Sequence, residues 1–521
     1  MTKLLRLLLT ALLIALSPPA VAAELDIGIG ADVTSLDPHW HNVSPNRMVA
    51  HHIYDALIQQ DEQLRPTPGL ATSWSTSDGM VWRFQLREGV RFHDGSPFTA
   101  ADAAASIRRA MAVRDSPLPF AARLNSITAA ESEGDHVLVV RSARPVPLLP
   151  ITLAAIAIIP QRLATLPRAS FDEGKNSIGT GPYRLVGWQR GEEISLAANA
   201  EYWRGKPRWD MVRLHIMGDA QRIAALTAGS VQLIDQVPPA DVSRLRANPT
   251  LRIASTTSHR LIYLAMDHFR DATPFATGRG GEALKRNPLK DPRVRQALSK
   301  AIDRRVLTMQ VMEGQAIPAG QIAPDGFFGT TPRLAPDAFD PDTARRLLAE
   351  AGWADGFTLT LHLPSDRYVN AERAAQAIAT MLARVGITVR TDASPSAAFF
   401  PEASNHQFSF MLMGIGVDTG ETGTVLDTLL ASPDPTGGRG SANRGRYLDP
   451  ELDVLVDKAL ATVATATREA LLQSASERAI GNLAIIPLYH TIAVWASRGD
   501  LSYNARADEM TLAQGVMLAG K

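Results

Sequence analysis

Between residues 357 and 389, the apolar side chains change from a two-residue period to a helical period and back. The alternation predicts a buried strand, and the spacing after it predicts an amphipathic helix that ends at Gly386. The residues that carry the pattern are Phe357, Leu359, Leu361, Leu363, Ala374, Ile378, Met381, Leu382 and Val385, followed by Ile387 and Val389 in a second strand. A strand, a helix and a strand within 33 residues form a βαβ unit, which indicates a partly parallel sheet with helices on its faces.

Three Asp-Pro pairs mark helix starts in the same part of the chain. At 291–292, 340–341 and 449–450, an N-cap carboxylate precedes a proline that suits the first helical turn. Apolar residues at helical spacing follow each pair. We therefore expect an α/β domain over residues 264–489, which begins with a polar, Gly-rich and Pro-rich surface loop from Asp267 to Pro288.

Residues 24–263 carry a mixed pattern of strands and helices. Trp82, Phe84 and Leu86 alternate with polar residues, which predicts a half-buried strand. Thr99 and Asp102 have the spacing of a capping box at a helix start. A late strand pattern, from Leu488 to Trp495, can join either part of the chain. The predicted fold class is therefore α/β in the mixed α+β sense.

The first 23 residues have the pattern of a cleavable signal peptide. Lys3 and Arg6 precede an apolar run from Leu7 to Leu16, and small residues at 20–23 offer a signal-peptidase site. The run is short for a stable anchor, although a retained N-terminal membrane helix is the alternative. The chain has no cysteine, so it has no disulfide and no lipobox cysteine for a lipid anchor. We expect a soluble protein exported to the periplasm.

Charge and motifs argue against several classes of protein. Lys and Arg total 53, and Asp and Glu also total 53, so the basic excess typical of nucleic-acid binding is missing. The sequence has no nucleophile elbow, zinc-protease helix, phosphate-binding loop or complete dinucleotide-binding motif. A hydrolase with two carboxylates stays open, although no pair stands out. We expect no enzymatic activity, no cofactor and no nucleic-acid partner, and we expect a monomer.

Four histidines lie close together near the N-terminus: His39, His41, His51 and His52. A metal carrier could use such a cluster. The other interpretation is that His51 and His52 begin a helix and the side chains diverge, because adjacent residues on a helix do not share a face. We expect no dedicated metal site, and a metal carrier is kept as an alternative.

The chain also carries an ordered series of short blocks. They are LDPH at 36–39, IYDAL at 53–57, PGLA at 68–71, SW at 73–74, WRFQLR at 82–87, VRFHDG at 90–95, FTAAD at 98–102, GTGPY at 179–183, YW at 202–203, DPRVRQA at 291–297, AIDR at 301–304 and IPL at 486–488. Their number, order and spacing resemble the bacterial extracellular solute-binding proteins of family 5, which include dipeptide-, oligopeptide-, glutathione- and nickel-chelate-binding proteins of ABC importers. The resemblance covers nearly all of the chain after the signal peptide.

The resemblance implies a two-lobed periplasmic binding protein, type II-like, with an extra subdomain in the first lobe. The first lobe would contain residues 24–263, the second residues 264–489, and residues 490–521 would return to the first lobe. Such proteins close on a peptide or small-molecule ligand and deliver it to ABC permease subunits in the inner membrane. The alternatives are a nickel-type metal-chelate carrier and an extracellular enzyme. The solute stays open among dipeptides, longer peptides, glutathione, opines and metal chelates.

A zwitterionic peptide in a closed cleft needs a carboxylate for its ammonium group and a guanidinium for its carboxylate. Asp418 matches the position where peptide-binding members carry an amine-anchoring aspartate. Arg367 follows a strand end, where open α/β sheets place ligands, and relatives carry a carboxylate-binding arginine near it. The alternative is that both are surface charges. Ile415 replaces a common aromatic residue, which weakens the peptide assignment or changes the pocket. The remaining candidate ligand-binding residues are Trp40, His41, Asn42, Thr419 and Trp495, of which Trp495 can equally belong to the core.

Overall fold

The computed structural model describes residues 23–113, 115–434 and 438–520, so the predicted signal peptide lies outside the described residues except for Ala23. The strands within these ranges are β1 Glu24–Ile29, β2 Ile58–Gln60, β3 Pro66–Pro68, β4 Ala71–Ser75, β5 Val81–Leu86, β6 Ile127–Ser132, β7 Val137–Ser142, β8 Tyr183–Gln189, β9 Glu193–Ala198, β10 Met211–Ile216, β11 Leu233–Ile234, β12 Leu251–Met266, β13 Ala276–Thr277, β14 Ala316–Pro318, β15 Phe357–Pro364, β16 Ile387–Ser394, β17 Phe410–Gly416, β18 Ile486–Arg498, β19 Leu501–Tyr503 and β20 Val516–Leu518.

The α-helices within the same ranges are α1 Ser44–Ile53, α2 Ala100–Ala112, α3 Leu149–Leu153, α4 Arg168–Asp172, α5 Asp219–Ala228, α6 Pro239–Arg246, α7 Pro292–Lys300, α8 Arg304–Val306, α9 Pro341–Glu350, α10 Ala371–Ala383, α11 Ser396–Ser404, α12 Gly423–Val425, α13 Pro450–Ala461 and α14 Thr465–Gly481. Short 3-10 turns lie at Phe120–Arg123, Gln161–Leu163, Pro288–Lys290 and Ala513–Gly515, and π-helical turns lie at Leu307–Val311 and Leu426–Leu430. Within the described part of the chain, no helix combines the length and apolar character needed to cross a membrane.

The largest sheet of the described residues has twelve strands and is built around β12 and β18. Its order is β13-β15-β17-β12-β18-β11-β1-β10-β9-β8, with β14 on β18 and β16 on β15. β12 and β18 are antiparallel, and their register shifts between Thr257 and Leu261. On one side of the shift, β18 also pairs with β11. On the other side, β12 also pairs with β17. These two long strands therefore join two regions of one sheet.

The predicted βαβ unit is confirmed. β15 and β16 pair in parallel from Phe357 opposite Ile387 to Pro364 opposite Ser394, with α10 between them in sequence. β15 also pairs in parallel with β17. The carboxyl ends of these three strands consequently lie at the same edge of the sheet, which is where ligands bind in open α/β sheets.

The predicted helix starts are confirmed by their capping bonds. The side chains of Asp291, Asp340 and Asp449 accept backbone N–H groups of the first turns of α7, α9 and α13 at 2.9–3.2 Å. At the start of α2, the backbone N–H of Thr99 donates to Asp102 at 2.9 Å. Each bond satisfies a backbone N–H group that has no partner within the helix. This explains why these residues mark helix starts.

Buried apolar side chains form separate cores. One core packs β15 and β16 against α7, α9 and α10, and a second lies on the opposite face of β12 and β17. A third core joins β1, β9 and β10 to α1 and to the segment from Leu501 to Val516. The four-stranded sheet β4-β5-β7-β6 packs on α2 and has a core of its own. The buried Trp82, Phe84 and Leu86 belong to it, as the alternation predicted.

The segment from Asp267 to Pro288 is mostly exposed or half-buried, as predicted, but it is not a surface loop throughout. Within it, Ala276–Thr277 forms β13 and pairs with β15. Asp267 and Asn287 are buried, and the Asn287 side-chain amide donates to the carbonyls of Asp267 and Arg270 at 2.9 and 3.0 Å. The polar composition predicted exposure, but these polar groups instead satisfy buried backbone carbonyls at the end of β12.

Candidate functional site

Asp418 follows β17 and lies where distant parts of the chain meet. Its carboxylate Oδ2 is 2.7 Å from Nη1 of Arg123 and 3.7 Å from Nη1 of Arg47. Arg47 lies on α1, and Arg123 ends the 3-10 turn Phe120–Arg123. The Gln60 side chain donates to the Asp418 backbone carbonyl at 3.0 Å. The Asp418 side chain is only 13% exposed, so the first part of the chain encloses the predicted anchor.

The charge of Asp418 depends on these two arginines. Burial alone raises the pKa of a carboxyl group, but the positive charges of Arg123 and Arg47 outweigh it and lower the pKa of Asp418 to about 2. Asp418 is therefore a carboxylate at every physiological pH. A buried carboxylate can bind a cationic group such as a ligand ammonium.

Close backbone packing positions the Asp418 turn. A Cβ atom on Gly416 would lie 2.8 Å from Cε1 of His259, so β17 approaches β12 more closely than a side chain allows. Gly420 has φ +72°, and a Cβ atom there would lie 2.6 Å from the carbonyl oxygen of Leu64. Glycine on either side of Asp418 thus permits the close contact with the first part of the chain.

Two further ion pairs involve the C-terminal segment, and their carboxylates act together with Asp418 on His259. Arg260 pairs with Glu509 at 2.7 Å, and Arg506 pairs with Asp508 at 2.6 Å. Burial would raise the pKa of Glu509, but the charge of Arg260 lowers it to about 2. His259 is buried, and its ring nitrogens have no hydrogen-bond partner among the described residues. The surroundings of Asp418 are therefore strongly charged.

Arg367 is exposed in the turn after β15. Because β15 and β17 are parallel, Arg367 and Asp418 follow the same sheet edge. The next residue, Tyr368, is buried and donates its hydroxyl to the carbonyl of Gly414 at 3.2 Å. Within the described residues, no hydrogen bond or ion pair joins Arg367 to Asp418, so the structure places the two charges at one edge without bringing them into contact.

Trp40, His41 and Asn42 come just before α1, the helix that carries Arg47. The guanidinium of Arg168 lies 4.3 Å from the centre of the Trp40 ring, a cation–π contact. His41 is half-buried. The Asn42 backbone N–H donates to the carbonyl of Leu118 at 3.0 Å, in the segment that leads to Arg123. The three residues are thus near Arg47 along the chain, and the contacts described for Trp40 and Asn42 are with residues of the first part of the chain.

The remaining candidates have different surroundings. Ile415 is half-buried and packs on an apolar core, and the Thr419 hydroxyl donates to the Glu421 carbonyl at 3.2 Å. Trp495 is 1% exposed, and its indole N–H donates to the Thr511 hydroxyl at 2.9 Å. Trp495 therefore belongs to the core formed by β1 and the C-terminal segment, because its apolar ring and its polar N–H are both satisfied there.

The N-terminal histidines diverge, as one of the two interpretations predicted, although His51 and His52 lie in the last turn of α1 and do not begin a helix. His39 bonds to the carbonyl of Ala157 at 2.7 Å, whereas His52 bonds to the carbonyl of Met48 at 2.9 Å and accepts from the N–H of Ala513 at 3.0 Å. Burial lowers the pKa of each ring to about 4, so both are neutral at pH 7. In the described ranges, no group of three or more His, Cys, Asp or Glu residues could hold a metal ion.

Arg47 and Arg123 are not among the residues that the sequence predicted for the site. Arg47 lies within a helix and Arg123 in a short turn, and neither belongs to a motif that indicates ligand binding. Their common partner Asp418 lies far from both along the chain, so no local spacing could have connected the three residues.

A broad cavity of about 990 Å³ opens beside the first half of β12. Residues 251–256 and 502–505 form most of its wall, and none of the predicted ligand-binding residues lines it. We therefore centre the candidate site on the buried charges at Asp418, where the polar chemistry converges.

Comparisons with known proteins agree with this architecture. The chain is 28% identical over 470 residues to the glutathione-binding protein GsiB of Pectobacterium atrosepticum, a match that covers 89% of this chain and 87% of the relative. The structure of HbpA2 from Haemophilus parasuis is similar with a TM-score of 0.81 at 24% identity, over 95% of this chain and 99% of that one.

A second solved structure, the ABC transporter-associated periplasmic binding protein DppA from Helicobacter pylori in complex with the peptide STSA, has a TM-score of 0.77 at 23% identity and covers 95% of this chain and 98% of that one. These likenesses show a two-lobed, mixed α/β binding-protein fold. Residues 65–437 match the family described as bacterial extracellular solute-binding proteins, family 5 Middle. The chain belongs to the bacterial extracellular solute-binding proteins of family 5.

Proposed function

We propose that this protein binds small peptides or peptide-like solutes, glutathione among them, and that Asp418 binds the ammonium group of the ligand. The observation that carries the proposal is the buried Asp418 carboxylate at a sheet edge, enclosed by residues from the other end of the chain. The ligands named for the relatives, glutathione and a short peptide, support this class of solute because both carry a free ammonium group.

In this proposal, residues 24–263 and 490–521 form the first lobe and residues 264–489 form the second. The separate cores support the division, since one joins β1 to the C-terminal segment and others contain only residues between 261 and 489. Strands β12 and β18 then act as the hinge, and their register shift at Thr257–Leu261 supports bending there. The ligand lies between the lobes beside Asp418, with Arg367 and Trp40–Asn42 near its ends.

In this proposal, the protein acts in the periplasm as the substrate-binding component of an ABC importer. It carries out no catalysis, works as a monomer and delivers its ligand to permease subunits in the inner membrane. The names of the matched proteins, which describe binding proteins and one ABC transporter-associated periplasmic protein, support this role.

The proposal is tested by calorimetry on Asp418→Asn with glutathione and with trialanine as probes. Removing one partner of a buried charged pair typically costs about 2–5 kcal/mol, which is roughly a 30- to 4,000-fold loss of affinity. We expect a loss in this range for the probe that the wild type binds. The control is Asp355→Asn, which removes an exposed carboxylate of the second lobe and should bind as the wild type does. Wild-type affinity in Asp418→Asn would contradict the role of Asp418 as the ammonium anchor.

A further inference from the structure

Two arginines share the single carboxylate of Asp418. Arg123 is in ion-pair contact with it at 2.7 Å, and Arg47 approaches it at 3.7 Å. The nearby carboxylates of Asp508 and Glu509 each have an arginine of their own. Asp418 therefore faces two guanidinium groups, and only that of Arg123 lies within hydrogen-bonding distance of it.

The guanidinium group of Arg47 has hydrogen-bond donors without acceptors. Its side chain is 13% exposed, and its Nε is buried with no hydrogen-bond partner among the described residues. Its Nη1 is 3.7 Å from Asp418, which is longer than a hydrogen bond. His51, one turn further along α1, does not neutralise Arg47, since burial and then the charge of Arg47 lower the pKa of its ring to about 4 and a histidine ring never carries a negative charge. A buried donor without an acceptor is costly, so this position favours an incoming anion.

The geometry of the guanidinium group selects the anion. Arginine presents its N–H groups as a planar fork that matches the two oxygens of a carboxylate. Arg123 is 39% exposed, so it can turn toward a second carboxylate more freely than Arg47 can. Together the two arginines can hold a ligand carboxylate directly beside Asp418.

We propose that Arg47, Arg123 and Asp418 form a receptor for a free α-amino-acid group, that is, an ammonium and a carboxylate on the same carbon atom. The ligand ammonium binds to Asp418, and the ligand carboxylate takes the donors of Arg47 and Arg123. This inference rests on the proposed function and makes its substrate class more specific.

The receptor distinguishes two kinds of peptide. At an ordinary peptide N-terminus, the carboxyl group next to the ammonium is consumed in the peptide bond, so only Asp418 finds a partner. In a γ-glutamyl peptide the linkage uses the side-chain carboxyl group, and the α-ammonium and α-carboxylate both stay free. We therefore infer that the site prefers γ-linked to α-linked glutamyl peptides.

The test compares γ-Glu-Ala-Gly with α-Glu-Ala-Gly by calorimetry. The two tripeptides have the same atoms and the same net charge, so only the position of the carboxylate differs. Hydrogen bonds to charged groups are worth about 1.5–3 kcal/mol, so we expect the wild type to bind the γ-linked isomer roughly 10- to 150-fold more tightly. Arg47→Gln and Arg123→Gln should each reduce this preference, chiefly by lowering the affinity for the γ-linked isomer.

Two further variants separate a specific effect from a loss of folding. Arg47→Lys keeps the charge but loses the planar fork, so it should retain part of the preference. Arg305→Gln removes an exposed arginine of the second lobe and should leave the preference unchanged. Thermal unfolding of each variant shows whether it is folded at the temperature of the titration.

Equal binding of the two isomers by the wild type, or binding of neither, would overturn the receptor. The proposed receptor is also overturned if Arg47→Gln lowers the affinity for both isomers equally while the protein stays folded. The proposed function is judged separately, by whether glutathione or trialanine loses affinity in Asp418→Asn. A wild type that binds trialanine through Asp418 and ignores the linkage would thus reject this inference and leave the proposed function standing.

Discussion

Asp418 shows how a buried charge can hold a position without adding much net stability. At an effective dielectric constant of about 20, two opposite charges at the Asp418–Arg123 distance of 2.7 Å attract by roughly 6 kcal/mol. Removing ions from water costs several kcal/mol for each ion, so most of this attraction is offset. A near balance suits a binding site, because a ligand can replace the arginine contacts at little cost in free energy.

Asp418 should contribute to stability in a defined pH range. Its pKa falls from the usual 3.8 to about 2 in the folded protein, so its contribution is nearly complete at about pH 5 and is lost progressively as the pH falls through about 2. We expect a contribution of about 1–2 kcal/mol, reduced by solvent because Arg123 is partly exposed.

Urea unfolding at pH 5 and pH 2.5 tests this contribution. The wild type should lose more stability between these pH values than Asp418→Asn, in which position 418 does not titrate. Asp355→Asn is the control and should keep the wild-type dependence on pH. If the wild type and Asp418→Asn lose the same amount of stability, the ion pairs of Asp418 do not exist in solution.

At the scale of elements, β17 places the site through its glycines. Gly414 and Gly416 let the strand lie close to Tyr368 on one side and to His259 on the other. Strand β17 then leads directly into the Asp418 turn. The position of the carboxylate therefore depends on the packing of β17 between β15 and β12 as well as on its own ion pairs.

Gly414→Ala should destabilise the protein. The added Cβ would lie 2.7 Å from Cε1 of Tyr368 and 3.0 Å from Cδ1 of Ile262, so buried groups would have to move. Overpacking of this kind typically costs about 1–3 kcal/mol. Chemical denaturation measures the change, with Gly187→Ala in β8 as the control, because a Cβ there meets nothing within 4 Å. Equal stability of the two variants would show that β17 has room for a side chain.

At the scale of the whole molecule, the two long strands connect regions with separate cores. Residues at the start of the chain contact Asp418 across these strands, through Arg47, Arg123 and Gln60. A contact of this kind can form only when the two regions approach each other. If Asp418 binds the ligand as proposed, binding is coupled to the angle between the regions.

Ligand binding should make the molecule more compact. Small-angle scattering of the wild type, with and without a saturating tripeptide that calorimetry shows to bind, should give a smaller radius of gyration in the bound state. A solute that does not bind in calorimetry serves as the control and should leave the radius unchanged. An unchanged radius at saturation with the bound tripeptide would contradict closure of two lobes.

The sequence by itself determined the elements whose signals are local. The caps at Asp291, Asp340 and Asp449 and the βαβ unit depend on residues within a few turns of each other, so spacing and residue type were sufficient to predict them. The prediction that Asp418 anchors a ligand needed more than spacing, because it came from a resemblance to a family.

The tertiary structure alone decided which groups surround Asp418. Arg47 and Arg123 meet its carboxylate only because the path of the whole chain brings α1 and a distant turn to the end of β17. The same holds for Trp495, whose burial depends on the returning C-terminal segment. Contacts between residues far apart in sequence are set by the sum of all packing choices between them, and no local pattern encodes that sum.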